Sequence, residues 1–252
     1  MGWLDKRLQG AVQTALRVIY PARCLSCGGQ VESDFGLCAG CWAETPFLGG
    51  TVCDSCGAPL PGGPDAQAAR CDQCLADPPP WTRGRAAMMY EGMGRRLVMG
   101  LKHGDRHDIA APAADWLLES AGPLIRSGMI VAPVPLHWRR MMSRGYNQSA
   151  LLSRHLAARL AAQGARDLPD LLVRRRATPG LDHRSRAERH MLLEGTMAVD
   201  RRHLEVLRGR PVLLVDDVLT SGATFSEATR ACVAAGSGPV SVLALARVAK
   251  AP

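Results

Sequence analysis

Apolar side chains along this sequence follow two periods, and their alternation sets out the architecture. Short runs at 86–90, 129–132, 171–173, 197–199 and 240–245, together with Val212–Val215, read as strands. Helical spacing marks 93–101 and 107–120, a helix opening near Ser149, and one that begins at Ala223 and covers 227–235. Strands alternating with helices predict an α/β fold with a mostly parallel sheet. A further helical pattern opens the chain: Leu4, Leu8, Val12, Ala15, Leu16 and Ile19 share a face, with Lys6, Arg7, Gln13 and Arg17 between them. It predicts an amphipathic helix ending before Pro21, within an N-terminal segment 1–22.

The run Val212-Leu213-Leu214-Val215 is apolar throughout, which suits an interior parallel strand covered on both faces. Asp216 and Asp217 leave its carboxyl end, where open α/β sheets bind ligands. Ser221-Gly222 turns the chain. Thr220, Ser221, Gly222, Ala223 and Thr224 then stand at a helix N-terminus, where backbone N–H groups and hydroxyls favour a phosphate. Neighbouring carboxylates would repel that phosphate, but they accept hydrogen bonds from the vicinal hydroxyls of a sugar. The run points to a phosphorylated ribose.

At 252 residues the chain can bury a full core, as one large or two modest domains. Its longest apolar runs fall short of the roughly 20 residues that a membrane helix needs. The N-terminal pattern lacks the unbroken apolar stretch of a secretory signal, so a cytoplasmic protein is expected. The net charge of +8 is unevenly placed. Residues 1–23 carry four basic and one acidic side chains, 24–77 one and seven, and 78–252 twenty-six and fifteen. Nearly all the cations are arginines, whose planar fork suits phosphate oxygens.

Eight of the nine cysteines form four Cys-x-x-Cys pairs: Cys24/Cys27, Cys38/Cys41, Cys53/Cys56 and Cys71/Cys74. Each pair can present two thiolates through a tight knuckle, and tetrahedral four-cysteine sites are structural zinc sites, so two ions are expected. Without a secretion signal the thiols stay reduced, which disfavours disulfides. Spacing alone leaves open whether the pairs join sequentially or cross. The segment is net negative, which argues against a nucleic-acid finger and for a scaffold or docking role. Asp77-Pro78-Pro79-Pro80 reads as a stiff spacer. It divides a double zinc-ribbon-like module at 23–77, with four cysteines to each site, from an α/β domain at 81–252.

Two basic segments add candidate ligand groups. Arg139-Arg140-Met141-Met142-Ser143-Arg144-Gly145-Tyr146-Asn147-Gln148-Ser149 leads into the helix that begins near Ser149 and could clamp pyrophosphate. Arg174 to Gly180, with Arg184, Arg186 and Arg189 beyond, has the composition of a loop that closes over a charged transition state. Cys232 falls on an apolar helix face and reads as a core residue. His103 and His107 are interrupted by Gly104 and are not expected to form a ligand pair.

The Asp-Asp-Val-Leu-Thr-Ser-Gly-Ala-Thr run resembles the signature of type I phosphoribosyltransferases, which bind phosphoribosyl pyrophosphate (PRPP) with magnesium. Together with the cysteine pairs and Arg144-Gly145-Tyr146-Asn147-Gln148, it makes nearly the whole chain similar to the ComF family. That resemblance implies a zinc-ribbon module on a type I phosphoribosyltransferase domain and a link to DNA uptake in natural transformation. It also implies roles: Asp216 and Asp217 on the ribose hydroxyls, Thr220 to Thr224 on the 5′-phosphate, and Arg144 with Lys102 on the pyrophosphate side. These two aspartates, Arg144 and Lys102 are the candidate catalytic residues. Leu181, Leu192 and Met197 depart from the family's pattern beside Glu188-Arg189, and two of them replace amides, removing hydrogen-bonding capacity.

Two functions of different classes follow. The first is an enzyme that transfers phosphoribosyl from magnesium-PRPP to an unidentified base. The second is a non-catalytic PRPP sensor that contacts single-stranded DNA or DNA-uptake proteins. The basic α/β domain favours DNA electrostatically, while an aromatic content of only 4% offers few stacking platforms.

Overall fold

The computed structural model describes residues 21–31, 36–62, 69–103, 106–136, 145–176 and 185–249, the side chains at 103 and 186 excepted. The expected N-terminal helix, Leu181, and the basic residues Arg139, Arg140, Arg144 and Arg184 lie outside these residues, as does the Arg186 side chain.

In chain order the elements are α1 (Ala39–Glu44), α2 (Asp72–Ala76), β1 (Arg83–Met89), α3 (Gly92–His103), α4 (Ala110–Ala121), β2 (Ile130–Pro133) and α5 (Gln148–Arg159). There follow β3 (Arg166–Asp167), β4 (Leu172–Arg174), α6 (Arg186–Leu193), β5 (Met197–Val199), α7 (Leu204–Leu207), β6 (Val212–Leu219), α8 (Ala223–Ala234) and β7 (Val240–Arg247). Five strands form a wholly parallel sheet in the order β1-β7-β6-β2-β3. The α/β class expected from the alternating periods is what the chain adopts.

Both faces of the sheet are covered, which is why the central strands are apolar without alternation. One core joins Val131, Leu213, Val215, Leu243 and Leu245 to α3, α4 and α5. The other joins Ala132, Val212, Leu214, Val242 and Ala244 to Phe225, Ala228 and Cys232 of α8. Cys232 is fully buried there, as its helix face predicts, and burial alone pushes its thiol up to about 12.

Several elements differ from expectation. The central strand does not end at Val215: β6 continues through both aspartates, pairing Asp216 with Ala244 and Leu219 with Arg247 of β7. The ladder tolerates the carboxylates because they stand at its carboxyl edge, facing a cleft. β4 and β5, expected among the main strands, pair only with each other, antiparallel. The pattern 107–120 breaks into a 3-10 turn at His107–Ile109 and the helix α4. α6 was not expected from periodicity; its start is fixed by a capping box in which the Ser185 hydroxyl accepts from Glu188 N–H and Glu188 accepts from Ser185 N–H.

The cysteine module packs directly on the sheet and does not stand off from it on the proline run. Phe47 bridges Met88, and Leu48 N–H donates to Ala87 at 2.9 Å. Asp54 accepts from Arg85 at 2.8 Å and lies 3.1 Å from Arg83. The two arginines thus take up the acid of the knuckle, part of the negative balance of the module.

Candidate functional site

At the carboxyl edge of β6 a cleft of about 360 Å³ is lined by Asp216, Asp217, Lys102, Thr220, Ser221, Ala223 and Thr224. Tyr90, Arg174 and Arg189 complete its polar wall, and Val134 to Leu136 its apolar one. The sequence folds this way locally because β6 must turn sharply into α8. Gly222 supplies the turn with φ +82, a conformation L side chains rarely adopt.

The two carboxylates have different partners. Ser149, in the first turn of α5, donates its hydroxyl to Asp216 Oδ1 at 2.7 Å, and the backbone N–H of Asp217 donates to the same oxygen at 2.9 Å. Lys102 Nζ, at the end of α3, lies 3.1 Å from Asp217 Oδ1. Burial raises the Asp216 carboxyl, and the adjacent Asp217 charge raises it further. The Ser149 and Asp217 donors and the Lys102 charge oppose them, leaving it at about 7. One carboxylate is therefore poised near neutrality beside one that is ion-paired.

α5 is placed for this contact by the segment before it. The Tyr146 hydroxyl donates to the Leu101 carbonyl at 2.5 Å, and its ring meets His107 edge-on at 4.1 Å. Asn147 caps the helix, accepting from Ser149 N–H at 3.0 Å while its amide donates to Val134 O at 3.2 Å. The Gly145-Tyr146-Asn147-Gln148 end of the basic segment thus lies beside Lys102. His107 is an aromatic packing partner.

The cysteines gather into two sets, Cys24/Cys27/Cys38/Cys41 and Cys53/Cys56/Cys71/Cys74, with the Sγ atoms of each within 4.8 Å of one another. The pairs join sequentially. Cys27 and Cys38 Sγ are 3.8 Å apart and Cys56 and Cys71 Sγ 3.7 Å. Four sulfurs at ~2.3 Å around one tetrahedral ion would be separated by about 3.8 Å, so both sets fit structural zinc. The Cys56 thiol and backbone N–H donors hold Cys53 down to about 4 against burial. Burial also opposes Cys24, yet backbone N–H groups of Cys27, Cys38 and Ser26 hold it at about 6. In each set the donors around one cysteine therefore favour its thiolate, the form that binds metal.

Of the residues predicted from sequence, Asp216, Asp217, Lys102, Arg189 and the polar turn share one cleft. Gly222 shapes that turn from behind and lines a second, smaller cavity. Leu192 is half-buried, and Met197 is a core residue of β5 whose N–H donates to Glu227. Sequence reasoning put Ser149 at the end of the pyrophosphate-clamp segment and Arg174 in the closing loop, and missed Trp81 and Arg247. For its contact with Asp216, Ser149 had a signal, because it directly follows the Asn-Gln pair at a helix start. Arg247 had a weaker one, a cation ending the apolar run Val240–Ala246 at the sheet's carboxyl edge.

These features define a protein in which two four-cysteine zinc sites are packed on a parallel α/β sheet bearing a carboxylate-lined cleft. Residues 15–75 match the double zinc ribbon domain family. The chain is similar to DNA utilization protein YhgH of Salmonella typhi, 34% identical over 90% of this chain and 97% of that protein. It is also similar to Competence protein F of Haemophilus influenzae, 27% identical over 89% and 96%, and to Competence protein ComFC of Bacillus subtilis, 24% identical over 86% and 91%. The chain belongs to the ComF family. A solved alanine mutant of an HPRT overlaps 60% of this chain and 67% of its own at 15% identity and a TM-score of 0.30, too low for the overlap to define the fold. Among the described residues no helix is long and apolar enough to cross a membrane.

Proposed function

We propose that the cleft binds PRPP with magnesium and that the protein transfers the phosphoribosyl group to a base. The reading is carried by one observation: Asp216 and Asp217 share a single cleft with the turn formed by Thr220, Ser221 and Thr224. In it the turn takes the 5′-phosphate on backbone N–H groups and hydroxyls, and the carboxylates take the ribose diol. Lys102 and Arg189 face the pyrophosphate, and the family resemblance assigns Arg144 to the same group. Their charges would stabilise pyrophosphate as it leaves C1 and a base nitrogen forms the new bond there. The oxygen-only carboxylate donors suit magnesium, which takes its remaining oxygens from the ligand and water.

Calorimetric titration with PRPP, with and without magnesium, tests binding. Binding that needs magnesium and falls at least about tenfold in an Asp216→Asn, Asp217→Asn double variant supports the reading, and no binding refutes it. Turnover is tested separately, by pyrophosphate release with a panel of nucleobases.

A second reading, a non-catalytic PRPP-sensing accessory protein of DNA uptake, is favoured by the basic balance of residues 78–252 and by relatives named for competence and DNA utilization. It predicts single-stranded DNA affinity that falls steeply with salt and with charge removal at Arg139, Arg140 and Arg144. Absence of binding at low salt refutes it.

A further inference from the structure

The second knuckle, Cys53-Asp54-Ser55-Cys56, has its peptide carbonyls taken up by the sheet. Gly84 N–H donates to Asp54 O at 3.0 Å, and the Arg85 guanidinium to the same oxygen, also at 3.0 Å. Trp81 Nε1 donates to Ser55 O at 2.5 Å. Arg247 Nη1 donates to Cys56 O. The contact is close enough that a methyl on Gly84 would sit 2.6 Å from Ser55 O. The first knuckle is held elsewhere, by Arg106 donating to Leu25 O at 3.2 Å and by Ser26 against Met93.

Two of these partners also form the back of the polar turn. The Trp81 ring lies where a methyl on Gly222 would come within 2.9 Å of Cη2. Arg247, the last residue of β7, pairs in register with Leu219, the last of β6, just before the turn. It is only 1% exposed, and its Nε and Nη2 have no hydrogen-bond partner. It lines a cavity of about 30 Å³ together with Cys56, Cys74, Trp81, Thr220 and Gly222. A buried, half-unpaired guanidinium needs a counter-charge. Zinc held by four thiolates carries a net charge of about −2, and Arg247 is bonded to the peptide carbonyl of one of those cysteines, Cys56.

We propose that Arg247 and Trp81 are positioning residues that make the 220–224 turn depend on the second four-cysteine site. With the ion bound, the tetrathiolate holds Arg247 and the knuckle holds Trp81, and together they brace the turn from behind. Without it, the knuckle carbonyls no longer converge, both braces loosen and the turn loses its shape. The first site, whose knuckle is held among the described residues by Arg106 and Met93, has no such effect. The consequence for ligand affinity rests on the phosphoribosyl reading; the coupling of metal to turn does not.

The test uses the full zinc-loaded chain with three readouts: zinc release to a colorimetric chelator, amide hydrogen exchange over 219–226, and magnesium-dependent PRPP binding. Arg247→Met is expected to speed release of one of the two ions by about tenfold or more, to raise exchange in the turn, and to weaken PRPP binding by about tenfold. Trp81→Phe keeps an aromatic ring but loses the donor, and is expected to raise exchange in the turn by a smaller factor with an unchanged circular dichroism spectrum. It decides the matter if Arg247→Met does not fold. Arg106→Met, at the first knuckle, is expected to leave exchange in the turn unchanged. The proposal is overturned if zinc release and turn exchange in the Arg247 and Trp81 variants match the native chain, or if Arg106→Met loosens the turn as much as they do. A native chain that shows the zinc and exchange effects but binds no PRPP supports the coupling and refutes the phosphoribosyl reading alone.

Discussion

The Ser149 hydroxyl donates to Asp216 Oδ1 at 2.7 Å, tying the first turn of α5 to the carboxyl edge of β6. Burial and the adjacent Asp217 charge nevertheless leave Asp216 at about 7, above its ordinary value of 3.8. Between those two values the folded chain holds a proton that the unfolded chain has released. Stability from this group therefore falls as pH rises from about 4 to 7 and levels off above. Asp216→Asn should remove that fall. The variant is expected to be more stable than the native chain at pH 8 by roughly 1–2 kcal/mol, the full shift being reduced by solvent contact, and to show no gain at pH 4. Ser149→Ala deletes an opposing donor and should move the midpoint higher. Urea unfolding across pH 4–8 checks both, and a pH-independent difference for Asp216→Asn would exclude Asp216 as the titrating group.

Lys102 and Asp217 form the complementary pair, 3.1 Å apart with side chains only 18% and 11% exposed. Removing the ammonium leaves a buried carboxylate with its solvation lost and its partner gone. Lys102→Met is expected to cost about 1–3 kcal/mol, and the Lys102→Met, Asp217→Asn double variant less than the sum of the singles. A double-mutant cycle in denaturant measures the coupling. Strict additivity would mean that the ion pair contributes nothing.

Gly222 has two reasons to be glycine, its φ of +82 and the Trp81 ring behind it. Alanine there would combine left-handed backbone strain with a close contact against the rigid, buried Trp81 ring. Gly222→Ala should cost about 1–3 kcal/mol and, on the proposed phosphoribosyl reading, weaken PRPP binding more than its stability loss alone would. Thermal unfolding and PRPP titration on the same preparation separate the two effects. Trp81→Leu in the Gly222→Ala background should recover part of the stability if the ring is the obstacle.

The sheet was legible because its signals are local. The unbroken apolar run at Val212–Val215 requires cover on both faces, and two cores supply it. The aspartates and the turn were legible for the same reason, since strand, carboxylates and helix start are consecutive. What the sequence concealed is what depends on long-range contact. Arg247 meets the carbonyl of Cys56, 191 positions earlier, and Trp81 that of Ser55; no spacing rule encodes either contact. The proline run suggested separation, but the glycines at 57 and 84 allow knuckle and strand to approach, and Asp54 is claimed by Arg83 and Arg85. β4 and β5 misled because a three-residue apolar run cannot say which sheet it joins.

The joining of the cysteine pairs, left open by spacing, yields a prediction that counts metal. In the sequential arrangement Cys24, Cys27, Cys38 and Cys41 share one ion, and the other four cysteines share the second. A Cys24→Ser, Cys41→Ser double variant then damages one site only and should retain about one zinc per chain. Under a crossed arrangement the same two changes would strike both sites, and zinc would fall toward zero. The two Ser positions also keep the remaining set intact, including the Cys56 contact to Arg247. The variant should lose the stability supplied by one structural ion, of the order of several kcal/mol at neutral pH, while the second ion resists chelation as in the native chain. Elemental analysis of the purified protein gives the count, and chelator release kinetics show whether the surviving ion leaves at its native rate.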